Sequence, residues 1–491
     1  MASVSEILSA VSPETLSGSW DGPIDTVACH PSGISGPNCL FVCINEYLEY
    51  NRWQTWRTYL EELPALGVKA VVLPELIPGL DVAQLVTPEP RKALGQLARL
   101  LSGHPDLYSR VYGVTGTNGK TTTTRLLAYL LNQLGEPCGS IGTLGITLPG
   151  HIDEPGTYTT PLASQLYGEL ARLRSAGAKG VAMEVSSHGL ALDRVGGMAF
   201  EAAILTNVER DHLDFHGTHE AYAAAKRQLF SRVRNSGWCI LNRQSPFCDS
   251  FAEASTGKVV TYGEAGRGAD LELLDFELHP TVSRFTLRFN GTTCAFETQL
   301  VGKFQLENAM GAIALLAALG FDLTSIAAAL PGFPSVCGRM ERFSLPNGST
   351  IIVDYAHNPD GLKHLLENGR LLCRGKLHLV FGCGGDRDRG KRPIMGELAA
   401  GLADVAWITS DNPRTEDPRT IMDDIEEGTR KGTASILKEP DREAAIRGAY
   451  AGTSEGDVLL VAGKGHEDYQ LIGYTKFPFS DQAVVGDLGG A

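Results

Sequence analysis

With 491 residues, of which 43% are hydrophobic and 20% charged, the chain has the composition of a globular protein and room for about three domains of roughly 150 residues each. Its formal net charge of −14 at pH 7 argues against nucleic acid or an anionic membrane as the main partner, because both require a basic surface. An acidic chain can still bind a small anionic substrate through a local basic cluster.

The sequence also bears on cellular location and cysteine chemistry. It has no uninterrupted apolar stretch of the ~20 residues that a membrane span requires, and its first residues lack the basic and apolar segments of a signal peptide. We therefore expect a cytoplasmic protein with no membrane partner. The ten cysteines include no C-x-x-C pair, so we expect reduced thiols.

Residues 1–89 are predicted to form a small α/β domain. Two apolar runs, 39–44 and 68–73, are typical of buried strands. An aromatic and polar stretch between them, around 53–63, is predicted to be a helix. The segment 87–90 contains two prolines, which interrupt both helices and strands, and it therefore indicates a linker.

Residues 90–333 are predicted to form a central domain. Strand and helix patterns alternate there, which indicates a mainly parallel sheet covered by helices. Alternating polar and apolar residues over 258–301 favour antiparallel strands at one edge of this sheet. The expected helices are 91–102, 121–134 and an alanine-rich pair over 306–330, and the expected strands that end in polar residues are 180–185 and 202–207.

Residues 334–491 repeat the alternation and are predicted to form a third α/β domain. Its expected strands are 351–354, 377–381, 405–409 and 458–462. The loops that follow parallel strands meet at one edge of a sheet, which is where open α/β sheets bind ligands.

A glycine-spaced loop between a predicted strand and helix points to a phosphate site. Gly116 and Gly119 would let the backbone approach a phosphate, Lys120 would reach the terminal phosphate, and the hydroxyl of Thr121 would face a magnesium ion. The spacing is not that of the common P-loop, which has a glycine where this chain has Val114. The stretch nevertheless predicts ATP binding.

Polar side chains after the central strands add candidate ligands. Glu184 ends one strand, and a carboxylate beside a phosphate loop can hold Mg²⁺. His212 lies in a dense polar cluster beyond another strand and could give a nitrogen to a second metal. Thr159 and Thr160 could offer hydroxyl groups to a substrate anion, although Thr-Pro is also a frequent helix start.

The loops of the third domain favour an amino acid ligand. They contain arginines and the carboxylate of Glu467 at the same predicted sheet edge. Guanidinium groups pair with carboxylates through two hydrogen bonds, and a carboxylate can take an ammonium group, so the set suits a zwitterion.

Taken together, these motifs resemble the Mur ligase family, whose members form amide bonds with ATP in peptidoglycan synthesis. The resemblance covers residues from about 105 to 482. It is carried by Gly116-Thr117-Asn118-Gly119-Lys120-Thr121-Thr122, Met183-Glu184-Val185-Ser186-Ser187-His188, Asp211-His212-Leu213-Asp214, Asp354-Tyr355-Ala356-His357 and Gly463-Lys464-Gly465-His466-Glu467.

The resemblance implies an α/β fold with three domains: an N-terminal domain for the UDP-linked substrate, a central P-loop-type ATP domain and a Rossmann-like C-terminal domain for the amino acid. The stretch Asp411-Asn412-Pro413-Arg414 resembles the motif of members that add meso-diaminopimelate to UDP-N-acetylmuramoyl-L-alanyl-D-glutamate. Arg414, helped by Arg387 and Asn412, would pair with the second carboxylate of diaminopimelate, which lysine lacks.

The family's functional positions fall on the following residues of this chain. Implied contacts of ATP are Gly116, Thr117, Asn118, Gly119, Lys120, Thr121, Thr122, Asn308, Arg339, Asp354 and His357. Implied contacts of the muropeptide are Ser32, Thr159, Thr160, Ser187 and Arg194. Implied contacts of diaminopimelate are Arg387, Asp411, Asn412, Arg414, Gly463 and Glu467. Implied magnesium ligands are Thr121, Glu184, His212 and a carbamylated Lys226, and the implied catalytic residues are Lys120, Glu184, His212 and Lys226.

The implied reaction activates the D-glutamyl carboxylate as an acyl phosphate, which the amino acid's amine then attacks. The N-terminal domain departs from the family, with Pro31-Ser32-Gly33 and Asn51-Arg52-Trp53-Gln54 where relatives carry Asp-Ser-Arg and Asp-Gly-His. We expect a monomer. The alternatives are addition of L-lysine or another amino acid, action on a folate as in folylpolyglutamate synthetases, and a non-catalytic scaffold.

Overall fold

Three sheets, each packed against helices, form the framework of this computed structural model, which describes residues 1–48, 52–149, 152–154, 156, 158–279 and 281–489. The N-terminal elements are α1 (Val4–Val11), β1 (Thr15–Ser17), β2 (Thr26–Ala28), β3 (Cys39–Val42), β4 (Glu46–Leu48), β5 (Arg52–Gln54), β6 (Ala70–Leu73), β7 (Ala83–Val86) and α2 (Pro90–Leu101). Five of the strands form a sheet in the order β1-β7-β6-β3-β2, and β4 pairs with β5 as a separate hairpin.

The predicted helix around 53–63 is wrong. Residues Arg52–Gln54 form strand β5, and Trp56–Tyr59 forms a 3₁₀-helix that Thr55 caps by accepting a hydrogen bond from the Arg57 N–H. Trp56 and Tyr59 are both buried and lie three residues apart, which is the repeat of a 3₁₀-helix. Aromatic and β-branched residues also lose side-chain freedom in an α-helix, so tertiary packing prevails here.

The central sheet has eleven strands, in the order β11-β10-β9-β12-β8-β13-β14-β15-β16-β17-β18. Its elements are β8 (Arg110–Thr115), α3 (Lys120–Gln133), β9 (Cys138–Gly142), β10 (Gly145–Leu148), β11 (Ile152–Glu154), α4 (Ala163–Ser175), β12 (Gly180–Glu184), α5 (Ser187–Ala191), β13 (Phe200–Leu205), α6 (Leu213–His216), α7 (His219–Arg227), β14 (Val233–Asn242), α8 (Cys248–Ala254), β15 (Lys258–Glu264), β16 (Leu271–Leu278), β17 (Ser283–Phe289), β18 (Thr292–Thr298), α9 (Lys303–Ala318) and α10 (Leu323–Ala329).

Parallel pairing around β8 positions the site. Strands β12 and β13 flank β8 and run parallel to it, with Glu184 opposite Val114 and Leu205 opposite Thr115. The carboxyl ends of the three strands therefore lie side by side, directly below the loop that links β8 to α3. The predicted strands and helices are confirmed here, with ends shifted by one to three residues.

The predicted antiparallel edge is confirmed for β16, β17 and β18, whereas β15 runs parallel to both β14 and β16. Two cores cover the faces of this sheet. One contains α3 and α9, and the other contains α4 and α7. Helix α9 is buried on nearly all sides beyond its first turn, in agreement with the apolar and alanine-rich sequence that follows Asn308.

The C-terminal sheet has six strands, in the order β19-β20-β24-β21-β22-β23, all parallel except β19. The elements are β19 (Glu341–Ser344), β20 (Thr350–Asp354), α11 (Pro359–Leu372), β21 (Leu377–Phe381), α12 (Lys391–Leu402), β22 (Val405–Ile408), α13 (Pro418–Thr429), β23 (Ser435–Lys438), α14 (Arg442–Ala451), β24 (Val458–Ala462), β25 (Tyr469–Ile472), β26 (Thr475–Pro478) and α15 (Asp481–Gly489). Strands β25 and β26 form a separate hairpin. None of the described helices is long and apolar enough to cross a membrane.

Candidate active site

The loop between β8 and α3 is shaped by two glycines. Gly116 and Gly119 have φ angles of 157° and 85°, and a Cβ atom would collide with the side chain of Thr206 at Gly116 and of Asn308 at Gly119. The backbone N–H of Asn118 donates to Asn207 Oδ1 over 2.9 Å. The backbone of the loop therefore packs closely against Thr206, Asn207 and Asn308, and it has the glycine-rich form that a phosphate-binding loop requires.

Lys120 lies at the first position of α3 and folds back over this loop. Its Nζ donates to the carbonyl oxygens of Gly116 (2.9 Å) and Thr117 (2.8 Å). Burial lowers the pKa of Lys120, while the carboxylates of Glu184 and Asp211 oppose that shift. These carbonyl contacts are ones that a phosphate oxygen could replace.

Glu184, at the end of β12, carries a buried carboxylate held in place by Thr143. The backbone N–H of Thr143 donates to Glu184 Oε1 over 2.8 Å, and its hydroxyl donates to Oε2 over 3.1 Å. A Cβ atom on Gly142 would collide with that carboxylate. Thr143 was not anticipated from the sequence, although a Gly-Thr pair after β9 is the signal that could have identified it.

Asp211 and His212 connect the central sheet to the C-terminal sheet. Asp211 Oδ2 accepts a hydrogen bond from Asn358 Nδ2 (3.2 Å) and lies 3.9 Å from His357 Nε2. Burial opposes the charge of Asp211, but the neighbouring imidazoles hold its pKa well below the usual range. Burial lowers the pKa of His212 to about 3, so its imidazole is neutral and can act as a ligand.

Lys226 is a buried residue of α7. Its Nζ donates to the Gly116 carbonyl (2.7 Å) and lies 4.3 Å from the centre of the Tyr222 ring. No carboxylate of the described residues lies within 4 Å of this amine. Burial and the charge of Lys120 therefore lower the pKa of Lys226 well below its ordinary value.

Three cavities bring most of the predicted residues together. The first, of about 310 Å³, is lined by Lys120, Thr121, Thr159, Glu184, Arg194, His212, Arg339, His357 and Arg387, among others. The second, of about 240 Å³, is lined by Asn118, Gly119, Thr122, Asn308, Arg339 and Asp354, among others. The third, of about 120 Å³, is lined by His212, His357, Arg387, Asp411, Asn412, Arg414, Gly463 and Glu467, among others. Arg339 belongs to the first two cavities and Arg387 to the first and third.

Five predicted residues do not line these cavities: Ser32, Gly116, Thr160, Ser187 and Lys226. Thr160 is buried behind them, where its hydroxyl donates to the Glu184 carbonyl over 3.0 Å. Ser187 is a buried residue at the start of α5, and Lys226 lies beneath the phosphate loop. Ser32 lies on the N-terminal unit, where it contacts the imidazole of His30.

Arg194 lines the first cavity. Its Nη1 donates to the Thr160 carbonyl over 3.0 Å, and its guanidinium lies 4.8 Å from the centre of the Tyr158 ring. Burial lowers its pKa. A guanidinium held in this way is suited to bind a substrate anion.

The third cavity is built from loops that follow β22 and β24. Asn412 Nδ2 donates to Glu467 Oε2 over 2.9 Å, and Lys464 Nζ donates to both Asn412 Oδ1 and Glu467 Oε2 over 3.1 Å. Burial raises the pKa of Glu467, an effect that Lys464 partly offsets. Lys464 was not anticipated as a site residue, although its spacing of three residues from Glu467 was visible in the sequence.

Arg414 is fixed by the backbone around it. It adopts a left-handed conformation with φ of 54°, and its Nη1 donates to the Gly385 carbonyl over 2.9 Å. Its own N–H donates to the Leu471 carbonyl over 3.0 Å, and its carbonyl accepts from the Gly473 N–H over 2.7 Å. Hairpin β25–β26 thereby holds Arg414 at the cavity.

The side chains near the phosphate loop fit a magnesium ion that is also bound by a nucleotide. Thr121, Glu184 and His212 line the same cavity, and the buried Glu184 carboxylate has only the neutral donors of Thr143 among the described residues. Within that part of the chain, no three His, Cys, Asp or Glu side chains are grouped so that they could hold a metal alone. A magnesium ion here would need phosphate oxygens as well, which is its usual mode of binding.

Comparison with known proteins gives matches along most of the chain. The model of the Mur ligase middle domain matches residues 114–316, and that of the Mur ligase glutamate ligase domain matches residues 338–465. The UDP-N-acetylmuramoyl-L-alanyl-D-glutamate–2,6-diaminopimelate ligase of Gloeobacter violaceus is 46% identical over 420 residues, covering 85% of both chains. The enzyme of the same name from Geobacillus thermodenitrificans is 38% identical over 455 residues, covering 91% of both.

A solved structure of a UDP-N-acetylmuramoyl-L-alanyl-D-glutamate–2,6-diaminopimelate ligase superimposes with a TM-score of 0.68. It is 31% identical in sequence, and the match covers 98% of each chain. Sequence and fold thus agree over nearly the whole length, and this chain belongs to the Mur ligase family.

Proposed function

We propose that the protein is an ATP-dependent ligase that adds meso-diaminopimelate to UDP-N-acetylmuramoyl-L-alanyl-D-glutamate. The observation that carries this proposal is a set of three cavities that share lining residues, which we assign to the nucleotide, the muropeptide and the amino acid. The relatives at 38–46% identity carry this activity in their names. A cytoplasmic monomer divided at residues 89 and 333 remains a prediction.

In the proposed reaction, a glutamyl carboxylate oxygen attacks the γ-phosphorus of ATP. The bond to the γ-phosphorus forms as the bond to ADP breaks, which leaves an acyl phosphate. The neutral amine of the amino acid then attacks the acyl carbon, so that the C–N bond forms as the C–O bond breaks and phosphate leaves with its electron pair. The amine nitrogen loses one proton to solvent, which leaves a neutral amide. No protein nucleophile is needed, so catalysis depends on positioning and charge.

Lys120 is proposed to bind the transferred phosphoryl group in place of the two loop carbonyls that it now contacts. Glu184, Thr121, His212 and carbamylated Lys226 would hold magnesium, which neutralises phosphate charge when bound. On the nucleotide side, Asn308, Asp354 and Arg339 line the second cavity. Thr159 and Arg194 would contact the muropeptide. Thr160 and Ser187 are buried behind this cavity, and Ser32 lies on the N-terminal unit.

Lys226 supports the proposal through its unusual surroundings. A buried amine with a lowered pKa and no carboxylate within 4 Å among the described residues is suited to react with carbon dioxide, and the carbamate converts a cation into an anion. A carbamate carbonyl signal should therefore appear in the ¹³C NMR spectrum after incubation with ¹³C-bicarbonate. The same spectrum of a Lys226→Ala variant should lack it, and a wild-type spectrum without the signal would contradict carbamylation.

Arg414 and Glu467 are proposed to distinguish the acceptor. Glu467 would take an ammonium group of the amino acid, and Arg414 and Arg387 would pair with the far carboxylate of diaminopimelate. L-Lysine has a hydrogen atom in place of that carboxylate, beside its ε-ammonium group, and would leave a guanidinium without its partner.

The direct test measures phosphate release by the purified protein with ATP, Mg²⁺ and UDP-N-acetylmuramoyl-L-alanyl-D-glutamate, with each amino acid offered separately. We expect release with meso-diaminopimelate and a much slower rate with L-lysine. Release with lysine alone would overturn the assigned acceptor. No release with either amino acid or a folate substrate would favour a non-catalytic scaffold.

A further inference from the structure

We propose that Arg442 and Asp481, which line none of the three cavities described above, are positioning residues that fix the amino acid pocket from behind. The pair would determine affinity for the acceptor amino acid while leaving nucleotide binding unchanged. This inference rests on the proposed function because it takes the cavity of Asp411, Gly463 and Glu467 as the acceptor pocket.

The pair is a fully buried ion pair between two helices. Arg442 opens α14 and Asp481 opens α15, and both side chains are 0% exposed. Arg442 Nε donates to Asp481 Oδ1 and Nη2 donates to Oδ2, both over 2.7 Å. A guanidinium at a helix N-terminus opposes the helix dipole, so its position there requires another explanation than helix stability.

A third hydrogen bond connects Arg442 to the strand end beside the pocket. Arg442 Nη2 also donates to the carbonyl oxygen of Ala462 over 2.9 Å. Ala462 is the last residue of β24, and the next residue, Gly463, lines the pocket with a φ of 119°. The guanidinium thus fixes the point at which the chain leaves the sheet and enters the loop 463–467.

Gly463 is the contact between this loop and Asp411. A Cβ atom at Gly463 would collide with the Asp411 carboxylate and would lie 3.9 Å from Arg442 Nη2. Gly463 therefore lies between the Asp411 carboxylate and the Arg442 guanidinium. A displacement of Ala462 would be transmitted directly to the position of Asp411.

Asp411 itself is only 7% exposed, and no described residue donates a hydrogen bond to its carboxylate. Burial opposes its charge, but Lys464, Arg442 and Arg414 lower its pKa and keep it ionised. An ionised carboxylate that faces a cavity without internal donors can accept a ligand's ammonium group. Arg442 thus holds the position of a carboxylate that is available to the acceptor and, together with Lys464 and Arg414, favours its charged form.

A buried ion pair is a weak source of stability, because the cost of removing both charges from water offsets their attraction. Replacing such a pair by apolar side chains of similar volume is often tolerated, whereas removing one partner is strongly destabilising because it leaves a buried charge unpaired. A variant that replaces both residues by apolar side chains should therefore fold, so that a change in its substrate affinity reports a positioning role.

The kinetic test uses the double variant R442M/D481L, which removes both charges and keeps apolar volume. We expect the KM for meso-diaminopimelate to rise at least tenfold while the KM for ATP changes less than twofold. The matched control is Arg447→Ala, because Arg447 also joins α14 to α15, through Asp487 at 3.5 Å, but lies at the surface away from the loop. An unchanged acceptor KM in the double variant, or equal increases for ATP and acceptor, would overturn the proposal.

A second measurement needs no turnover and therefore separates this inference from the proposed function. Amide hydrogen exchange in the free protein should be faster over residues 462–468 in Asp481→Asn than in the wild type or in Arg447→Ala. Unchanged exchange there would contradict the proposed role of the pair. If the wild type fails to use diaminopimelate but exchange responds as expected, the assigned acceptor is wrong and the positioning role stands.

Discussion

Two lysines meet the same carbonyl oxygen at the phosphate loop, in different electrostatic surroundings. Lys120 Nζ and Lys226 Nζ both donate to the Gly116 carbonyl. The carboxylates of Glu184 and Asp211 both favour the charged form of Lys120. For Lys226, Asp211 favours the charged form, whereas burial and the positive charge of Lys120 oppose it. The first lysine is therefore suited to remain a cation that binds phosphate, and the second is suited to lose its charge.

Replacing Lys120 by alanine should abolish turnover and leave the fold intact. Among the described residues, Lys120 Nζ donates hydrogen bonds only to loop carbonyls, which water can satisfy after the substitution. Charge stabilisation of a transferring phosphoryl group, in contrast, commonly contributes a factor of about 10² to 10³ or more. The measurement is kcat together with the thermal unfolding midpoint. Lys179→Ala, a change at an exposed lysine, is the control, and a Lys120→Ala enzyme with normal kcat would contradict ATP binding at this loop.

Replacing Arg414 by alanine should raise the KM for diaminopimelate about tenfold to a hundredfold, which is the range expected for one hydrogen bond to a charged group. The KM for ATP should change little, because Arg414 lines only the third of the cavities described. Steady-state kinetics with each substrate varied in turn would measure both. Arg419→Ala, at the exposed start of α13, is the control. Equal increases in the KM for ATP and for diaminopimelate would contradict a specific contact between Arg414 and the amino acid.

At the scale of elements, α5 and α6 bring three histidines together around Phe215. His188 lies 4.7 Å from His212 and 5.6 Å from His216, measured between ring centres. Burial lowers the pKa of His188 to about 2, that of His212 to about 3 and that of His216 to about 4. Near neutral pH all three are uncharged in the folded protein.

These shifts predict that the protein loses stability as the pH falls below 6.5. In the unfolded chain the histidines take up protons near pH 6.5, whereas in the folded protein they stay neutral down to between about pH 4 and pH 2. Stability is therefore fully present above pH 6.5 and declines below it, by up to ~1.4 kcal/mol per pH unit for one fully buried histidine. The His212 side chain is 37% exposed, so solvent reduces its share.

The check is the urea unfolding midpoint at pH 8.0, 6.5 and 5.5. We expect the midpoint to fall between pH 6.5 and 5.5, and to fall less in a His188→Gln variant. A comparison with His279→Gln controls for an exposed histidine. Equal midpoints at pH 8.0 and 5.5 in the wild type would contradict the neutral cluster.

The order of elements around the site could be predicted because it follows from local patterns. Apolar runs identify β12 and β13 and four of the C-terminal strands, β20, β21, β22 and β24, and parallel pairing brings the ends of such strands together. Hairpin β25–β26 could not be predicted as part of the site, because it holds Asn412 and Arg414 through backbone groups that any sequence would supply. Arg442 and Asp481 were missed for a related reason, since they are 39 residues apart and act from behind the pocket.

At the scale of the whole molecule, the central and C-terminal sheets meet through polar contacts at the cavities. Arg210 pairs with Asp388 over 3.3 Å, and Asn358 Nδ2 donates to Asp211 Oδ2 over 3.2 Å. The side chain of Asn358 also caps α11 by accepting from the Gly361 N–H over 2.8 Å. One amide therefore joins a helix end of the C-terminal unit to the polar cluster of the central unit.

Because of this double role, we expect substitutions of Asn358 to change stability and kcat to different extents. Asn358→Ala removes the cap, worth about 1 kcal/mol, whereas Asn358→Asp keeps a capping oxygen but puts a second carboxylate beside Asp211. We expect Asn358→Asp to lower kcat more than Asn358→Ala does, even though it retains the cap. Unfolding midpoints and kcat would be measured on both variants. A kcat that follows the midpoint across both would show that the contact with Asp211 has no role beyond folding.

The N-terminal unit shows where sequence reasoning reached its limit. Apolar runs predict two of its strands, β3 and β6, whereas the local pattern of aromatic residues at 53–63 predicts a helix that the structure does not contain. In the structure Trp53 stacks on Phe215 of α6 at 6.3 Å between ring centres, and Trp56 is buried against the N-terminal sheet. Long-range packing of this kind has no signature in neighbouring residues, and part of the prediction for 51–54 falls on Asn51, which lies outside the described residues.

The central claim is that this site joins diaminopimelate, in preference to lysine, to the UDP-linked dipeptide at the expense of ATP. The most direct measurement offers meso-diaminopimelate and L-lysine together at equal concentration and identifies the nucleotide-linked product by mass spectrometry. The account predicts a UDP-N-acetylmuramoyl tripeptide that carries diaminopimelate, formed with one ADP per product. A product that carries mainly lysine, or no amide product while ATP is hydrolysed, would contradict it.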